Sequence, residues 1–416
     1  VTTLVTLGPE DDDLPAHSLL GASGAYRWLN CPGSFRLSRS APARPASIYA
    51  ATGTLAHRYI EEAITQTPPG TRWHVPDTEA GAQIQVERHV IEVDQDFIDG
   101  VNLMLDYIWD RSLQYSMFGA EFTVRLDSYF VQANIKPPTR LYGRTDLVMV
   151  DKPRRLLEVV DYKNGAGILV EVENNPQMLF YAAGVLAELG QKFSDLVIDT
   201  VKLTVVQPHA RSVEKIRSWT VDALDVLLWV DEVLIPGVQR CAQPDAPLNP
   251  DPYWCQFCPA SHTCPALIDK ANQMAKHAFT DDQDDPLSTL PSSPEKLAEA
   301  LDLADQAETW IKALRAYATE QLKAQVRIPN WGLVPTRPVR RWTELGVSQV
   351  ETNLVTLGLA REGHRSELLT PAQMEKLARR KGHTWDAWFG PYVESHSSGV
   401  KLARTDRADA ADFPEC

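Results

Sequence analysis

Apolar and polar positions along the chain follow two periods, and the switches between them outline the fold. Helical spacing, with apolar residues three and four apart, runs through residues 54–64, 95–115, 176–189 and 221–238. Shorter stretches rich in β-branched and apolar residues, at 121–126, 142–150, 156–163 and 196–206, predict strands. The order helix–strand–strand–strand–helix–strand predicts an α/β core. Within it, 147–150 and 156–160 flank the polar, proline-containing segment Asp151-Lys152-Pro153-Arg154-Arg155, so these two strands are expected to form a hairpin.

The acid-, Ser- and Pro-rich stretch DDQDDPLSTLPSS, residues 281–293, reads as a linker. Ser293 as N-cap and Pro294 in the first turn then open a long helix. Leu297, Leu301, Ala304, Ala307, Ile311, Leu314, Ala318 and Leu322 give it one apolar face, and Glu308 and Lys312 form an i,i+4 pair. If it continues to Gln325, it spans about 48 Å. The expected organisation is an acidic tail at 1–20, a core at 21–278, a linker at 279–293 and a C-terminal α+β accessory domain at 294–416.

The chain, at 416 residues, is long enough for two or three domains with cores of their own. No stretch approaches the roughly 18 consecutive apolar residues of a membrane helix, and the acidic start is unlike a signal peptide, so a cytoplasmic protein is expected. A formal net charge of −14 argues against a nonspecific nucleic-acid coat. It leaves room for a nucleic-acid enzyme whose carboxylates are charged with divalent metal.

The hairpin carries such carboxylates. Asp146 enters its first strand, and Asp161 and Lys163 leave its second. Strand alternation puts Asp161 and Lys163 on one face with Tyr162 opposite. A turn centred on Pro153-Arg154 sets Asp146 against Asp161. Directly opposed residues have Cβ atoms about 5 Å apart, where like charges destabilise. A divalent cation between them reverses that sign. A salt-bridged strand end is the plainer alternative for D-x-K alone. Two further pairs flank the hairpin at one-turn spacing: His57 and Glu61 in GTLAHRYIEEA, and Gln177 and Tyr181 in NNPQMLFYAAG.

In this order, Gly53…His57…Glu61, Gly143-Arg144-Thr145-Asp146, Asp161-Tyr162-Lys163 and Gln177…Tyr181 resemble the RecB-type branch of the PD-(D/E)XK nucleases. The resemblance covers roughly residues 21–270 and implies the restriction-endonuclease-like core, a mixed sheet flanked by helices. It implies that Asp146 and Asp161 ligate Mg²⁺ or Mn²⁺ with the Tyr162 carbonyl and His57. Lys163 would orient the attacking water and offset charge on the phosphoryl group. Gln177 and Tyr181 would position a DNA strand, and Glu61 would act catalytically or orient His57.

Of the six cysteines, three crowd into CQFCPASHTC, which in a cytosolic protein points to metal. Cys255, Cys258 and Cys264 leave a tetrahedral site one ligand short, and Cys31 in LNCPGS is the natural fourth. His262 lies between two cysteines already well spaced; Cys241 and Cys416 read as bystanders. One early cysteine with a late C-x₂-C-x₅-C-P resembles the iron–sulfur, AddB-type branch of the same nucleases, which implies a [4Fe–4S] cluster acting as a structural clasp. A Cys₄ zinc site, or buried cysteines without a ligand, are the alternatives.

No G-x-x-x-x-G-K-[ST] occurs, so an ATP-independent enzyme is expected unless a partner supplies the motor. SGAYRWLNCPGSFRLS, TGTLAHRYIEEA and the ending LTPAQMEKLARRKG…SSGVKLARTDRA also resemble an uncharacterised phage and prophage nuclease family. That implies a DNA exonuclease of recombination or end processing, in a bacterial host, with a single-strand annealing protein as partner. Lys312, Arg315, Lys323, Arg337, Arg340 and Arg341 form either a DNA track or a solvated surface. An endonuclease on the same core, a catalytically inactive DNA-binding module, and a structural protein with a zinc knot are the competing classes.

Overall fold

The computed structural model describes residues 2–3, 18–41, 46–67, 71–112, 114–165, 168–212, 214–279, 294–336, 339–343, 346–360, 368–396 and 399–405. The acidic stretch at 4–17, the linker at 280–293, Arg337 and Cys416 lie outside the described residues. The chain divides into two compact units, residues 1–310 and 311–416.

In the first unit, helices α1 (Ile48–Gln66) and α2 (Gln95–Ser112) precede strands β1 (Met117–Arg125), β2 (Tyr142–Asp151) and β3 (Leu156–Tyr162). Helix α3 (Pro176–Lys192) and strands β4 (Thr200–Val206) and β5 (Ile216–Asp222) follow. The strands form one mixed sheet in the order β1-β2-β3-β4-β5, with β3 and β4 parallel and the other neighbours antiparallel. Thr2–Thr3 adds a short parallel edge beside β1. The core is therefore α/β, a mixed sheet flanked by helices.

The central strands read as continuous apolar runs because both faces are covered. Val148, Val150, Leu157, Val159, Val201, Leu203 and Val205 join one core with Phe180, Val185 and Leu189 of α3. Leu147, Met149, Val160, Tyr162 and Val206 join the other, with Leu55 and Ile60 of α1 and Ile98, Val101 and Leu105 of α2.

The hairpin register runs from Asp151↔Leu156 to Leu147↔Val160, so the next step sets Asp146 against Asp161, as the sequence predicts. The connection at 152–155 is symmetric about Pro153-Arg154, and Arg155 closes it with a left-handed φ of 51°. On the other side of β2, Ala120↔Leu147 and Phe122↔Thr145 bracket Glu121 and Asp146. Glu121, Asp146 and Asp161 thus occupy one row across three adjacent strands.

Other expectations shift. The strand expected at 121–126 begins at Met117. The strand expected at 196–206 is confined to Thr200–Val206. Residues 221–222 end strand β5, and the helical stretch after them contains a π segment, Val230–Leu234, just before Pro236. Pro236 lacks the amide that a regular helical ladder needs there.

The long helix α4 (Pro294–Lys323) is present as expected, and the division between units falls within it. In the second unit, Trp331–Pro335 pairs with Val400–Arg404, and Val339–Trp342 with Val393–His396. Val350, Leu354, Met374, Leu377 and Phe389 form its core. Thr370 and Gln373 make a reciprocal capping box on the helix Pro371–Arg380. Among the basic residues singled out above, Lys323 lies 3.1 Å from Glu320 and Arg340 lies 2.7 Å from Glu375.

Candidate functional site

Five chain segments meet at the carboxylate row, α1, β1, β2, β3 and α3. On α1, His57 Nδ1 lies 3.3 Å from Asp146 Oδ1 and 3.9 Å from Glu121 Oε1. From β3, the Tyr162 amide donates to Asp146 Oδ2 at 2.5 Å, and the Tyr162 ring packs edge-on to the imidazole. Lys163 Nζ lies 2.8 Å from Asp161 Oδ2. At the start of α3, Asn175 caps the helix and Pro176 opens it, which places Gln177 in the first turn. From there Gln177 Nε2 donates to Asp161 Oδ1 at 3.3 Å and to the Tyr181 hydroxyl at 3.1 Å.

Tyr181 is buried, and its ring explains Gly143 of the G-x-x-D segment. A Cβ on Gly143 would lie 3.1 Å from Tyr181 Cε1. Gly53 has no such constraint: its nearest neighbour is Asn164 Cβ at 4.0 Å, where α1 passes the end of β3. Glu61 is exposed and makes no described hydrogen bond or ion pair to His57. Its charge is felt instead at Glu121.

Packing holds the row together against its own charge. An opposed like-charge pair costs on the order of 1 kcal/mol or less, whereas each fully buried Val or Leu beside it contributes about 2 kcal/mol. The electrostatic strain appears as proton affinity. Burial, then Asp146 and Glu61, push the Glu121 carboxyl up to about 8, against the opposing pull of Arg144. Burial also raises Asp146 to about 6; His57 opposes this and Asp161 adds to it. Burial alone would lower the Lys163 pKa, but Asp161 and Asp146 outweigh it and favour the ammonium form.

A hard divalent cation fits this set. One donor atom each from His57, Glu121 and Asp146 lies within 4.8 Å of the others. Buried Asp161 Oδ2 has Lys163 at ion-pair distance but receives no aligned hydrogen bond. Oxygen-rich sets of this kind suit Mg²⁺ or Mn²⁺. Such an ion would take over the charge compensation that protons otherwise provide.

Sequence reading missed Glu121. Its φ of 48° is left-handed, rare for a residue inside a strand. The side-chain alternation of β1 changes there: Phe118 and Ala120 face the second core, while Phe122 and Val124 face the first. An acid at the point where the apolar alternation slips was the available signal.

The thiols form a second centre. Cys31, Cys255, Cys258 and Cys264 line one cavity with Ser34, Trp254 and Leu267, and all four are buried. His262 does not line it. Backbone amides stitch the two segments: Gly33 N donates to Pro247 O at 2.9 Å and Asn249 N to Cys31 Sγ at 3.3 Å. Within the second segment Asp251 N donates to Cys255 Sγ at 3.3 Å. Gly33 is required by this approach, since a Cβ there would meet Ala246 O at 2.6 Å. Burial raises the Cys255 thiol to about 12, and the other three thiols add to the shift. Burial likewise raises Cys31 and Cys264. Cys241 sits apart in the first core and donates to Trp28 O at 3.4 Å.

No helix of the described residues is long and apolar enough to cross a membrane. A family model described as a protein of unknown function, DUF2800, matches residues 17–409. That span takes in the whole carboxylate row, His57, Lys163, Gln177 and all four clustered thiols, and the chain belongs to this family.

Proposed function

We propose that the chain is a divalent-metal-dependent deoxyribonuclease with a RecB-type PD-(D/E)XK core, hydrolysing phosphodiester bonds as an exonuclease without a motor of its own. The observation that carries this reading is the convergence of His57, Asp146, Asp161, Lys163 and Gln177, from distant segments, on one row of a mixed sheet. A bound Mg²⁺ or Mn²⁺ would supply an activated water and charge compensation for the phosphoryl oxygens. Asp146 and Asp161 would hold it with His57 and the Tyr162 carbonyl. The Tyr162 amide fixes the Asp146 carboxylate, and the Tyr162 ring fixes the imidazole. Lys163, favoured as ammonium, would face the phosphoryl oxygens as a charge partner and proton donor to the site. Gln177, steadied by Tyr181, would set the position of the strand beside Asp161.

The four thiols are read here as ligands of a [4Fe–4S] cluster that clasps residue 31 to the segment 255–264. The observation that supports a shared ligand is that all four thiols line one small cavity; the choice of an iron–sulfur cluster over zinc rests on the resemblance of the C-x₂-C-x₅-C-P spacing. The exonuclease assignment, the link to recombination or DNA end processing, and an annealing-protein partner rest on the family resemblance of the motifs. End-labelled linear DNA and covalently closed circles, incubated with Mn²⁺ or Mg²⁺ and without ATP, test the reading. Degradation of the linear form alone is expected; rapid cutting of intact circles would make it an endonuclease, and no metal-dependent cleavage would refute it.

A further inference from the structure

We propose that Glu121 is a further ligand of the divalent cation held by His57 and Asp146, reaching it from the strand opposite to the one that carries Asp161. This deepens the metal-site reading above and rests on it for the role of Asp146. The motif residues recognised in the sequence do not include Glu121, and its place follows from the sheet. Its register sets it beside Asp146 on the strand opposite to the one that carries Asp161. His57 Nδ1 addresses Asp146 Oδ1 at 3.3 Å and Glu121 Oε1 at 3.9 Å. The three donor atoms close within 4.8 Å, a spread that a single cation spans with small side-chain adjustments.

Asp161 flanks Asp146 from the other strand. Its Oδ1 accepts from Gln177, and its Oδ2 lies against Lys163 without an aligned hydrogen bond. Arg144 is a weak competitor for Glu121, since it lies 4.0 Å away and its side chain is 65% exposed. The chemical class of the ligand is therefore a hard or borderline divalent ion that accepts one imidazole and two carboxylates, for which Mn²⁺ is the probe.

The test is Mn²⁺ binding to the full-length chain without DNA, by titration calorimetry and by pulsed EPR of the bound ion. Wild type is expected to bind Mn²⁺ with nitrogen modulation from the His57 imidazole. Glu121→Gln should weaken that binding by about tenfold or more and reduce the nitrogen signature, while circular dichroism stays that of wild type. Glu121→Asp, which keeps a shorter carboxylate, should restore part of the affinity. Wild-type affinity in Glu121→Gln would overturn the assignment. Nucleotide release is a separate readout: Mn²⁺ binding that depends on Glu121 in a protein that leaves DNA intact would keep this site and remove the nuclease reading.

Discussion

Asp146 accepts a hydrogen bond from the Tyr162 amide on one oxygen and faces the His57 imidazole with the other. The carboxylate is thereby held by β3 and by α1 at once. His57→Ala removes one of these two supports and one cation donor. Hydrolysis is expected to persist at saturating metal, with the Mn²⁺ concentration for half-maximal rate raised by about tenfold or more. An unchanged metal dependence would take His57 out of the coordination.

The thiol cavity can be probed without touching a sulfur. Gly33→Ala places a Cβ 2.6 Å from Ala246 O and 2.9 Å from Pro247 O, so the backbone carrying the Cys31 contacts must move. Overpacking of this kind costs about 1–3 kcal/mol. Protein purified without air should be brown, with broad thiolate-to-iron absorbance near roughly 400 nm. Gly33→Ala should lose part of that colour, and Cys→Ser at 31, 255, 258 or 264 should lose colour, stability and solubility. Cys241→Ser keeps a donor for Trp28 O and should stay coloured. Colourless anaerobic protein with stoichiometric zinc would replace the cluster by zinc.

The carboxylate row predicts a pH dependence of stability in chelator. Glu121 titrates in the folded chain at about 8 instead of its ordinary 4.5. Between these values the folded chain retains a proton that the unfolded chain has released. That contribution is fully present below 4.5 and is lost as pH rises through about 8. The melting temperature in EDTA should therefore fall across this window relative to Glu121→Gln, which mimics the neutral side chain. Added Mn²⁺ should stabilise wild type more at the alkaline end. Parallel curves for the two proteins would contradict the shift.

Much of the site was legible because the hairpin turn is symmetric. Any turn centred on Pro153-Arg154 keeps Asp146 opposite Asp161, so the register survived ignorance of the turn geometry. Period-2 alternation likewise put Tyr162 behind Asp161 and Lys163. Glu121 escaped for the opposite reason. Its left-handed backbone breaks the alternation within β1, and the strand seemed to start where it in fact changes face. The edge strand β5 and the small hairpin Gln83–Val86 with His89–Glu92 were missed as well. Both are half-exposed, so their apolar pattern is diluted by polar residues. The four-thiol cavity was legible from spacing, while the hydrogen bonds that draw Cys31 to residues 247–249 are backbone features that side-chain identity does not encode.

The most direct measurement is single-turnover cleavage of 5′- and 3′-end-labelled linear duplex and single-stranded DNA. It compares wild type, Asp146→Ala, Asp161→Ala and Lys163→Ala, each with Mn²⁺, with Mg²⁺ and with EDTA. Each variant leaves the apolar cores on both sides of the sheet in place, so folded, brown protein is expected from all of them. Wild type should release nucleotides with metal and not with EDTA. Each variant should lose at least about a hundredfold in rate, the scale for removing one group that stabilises charge at a reacting phosphate. Metal-dependent release at the wild-type rate from folded Asp161→Ala or Lys163→Ala, or no release from wild type under any condition, would contradict the account.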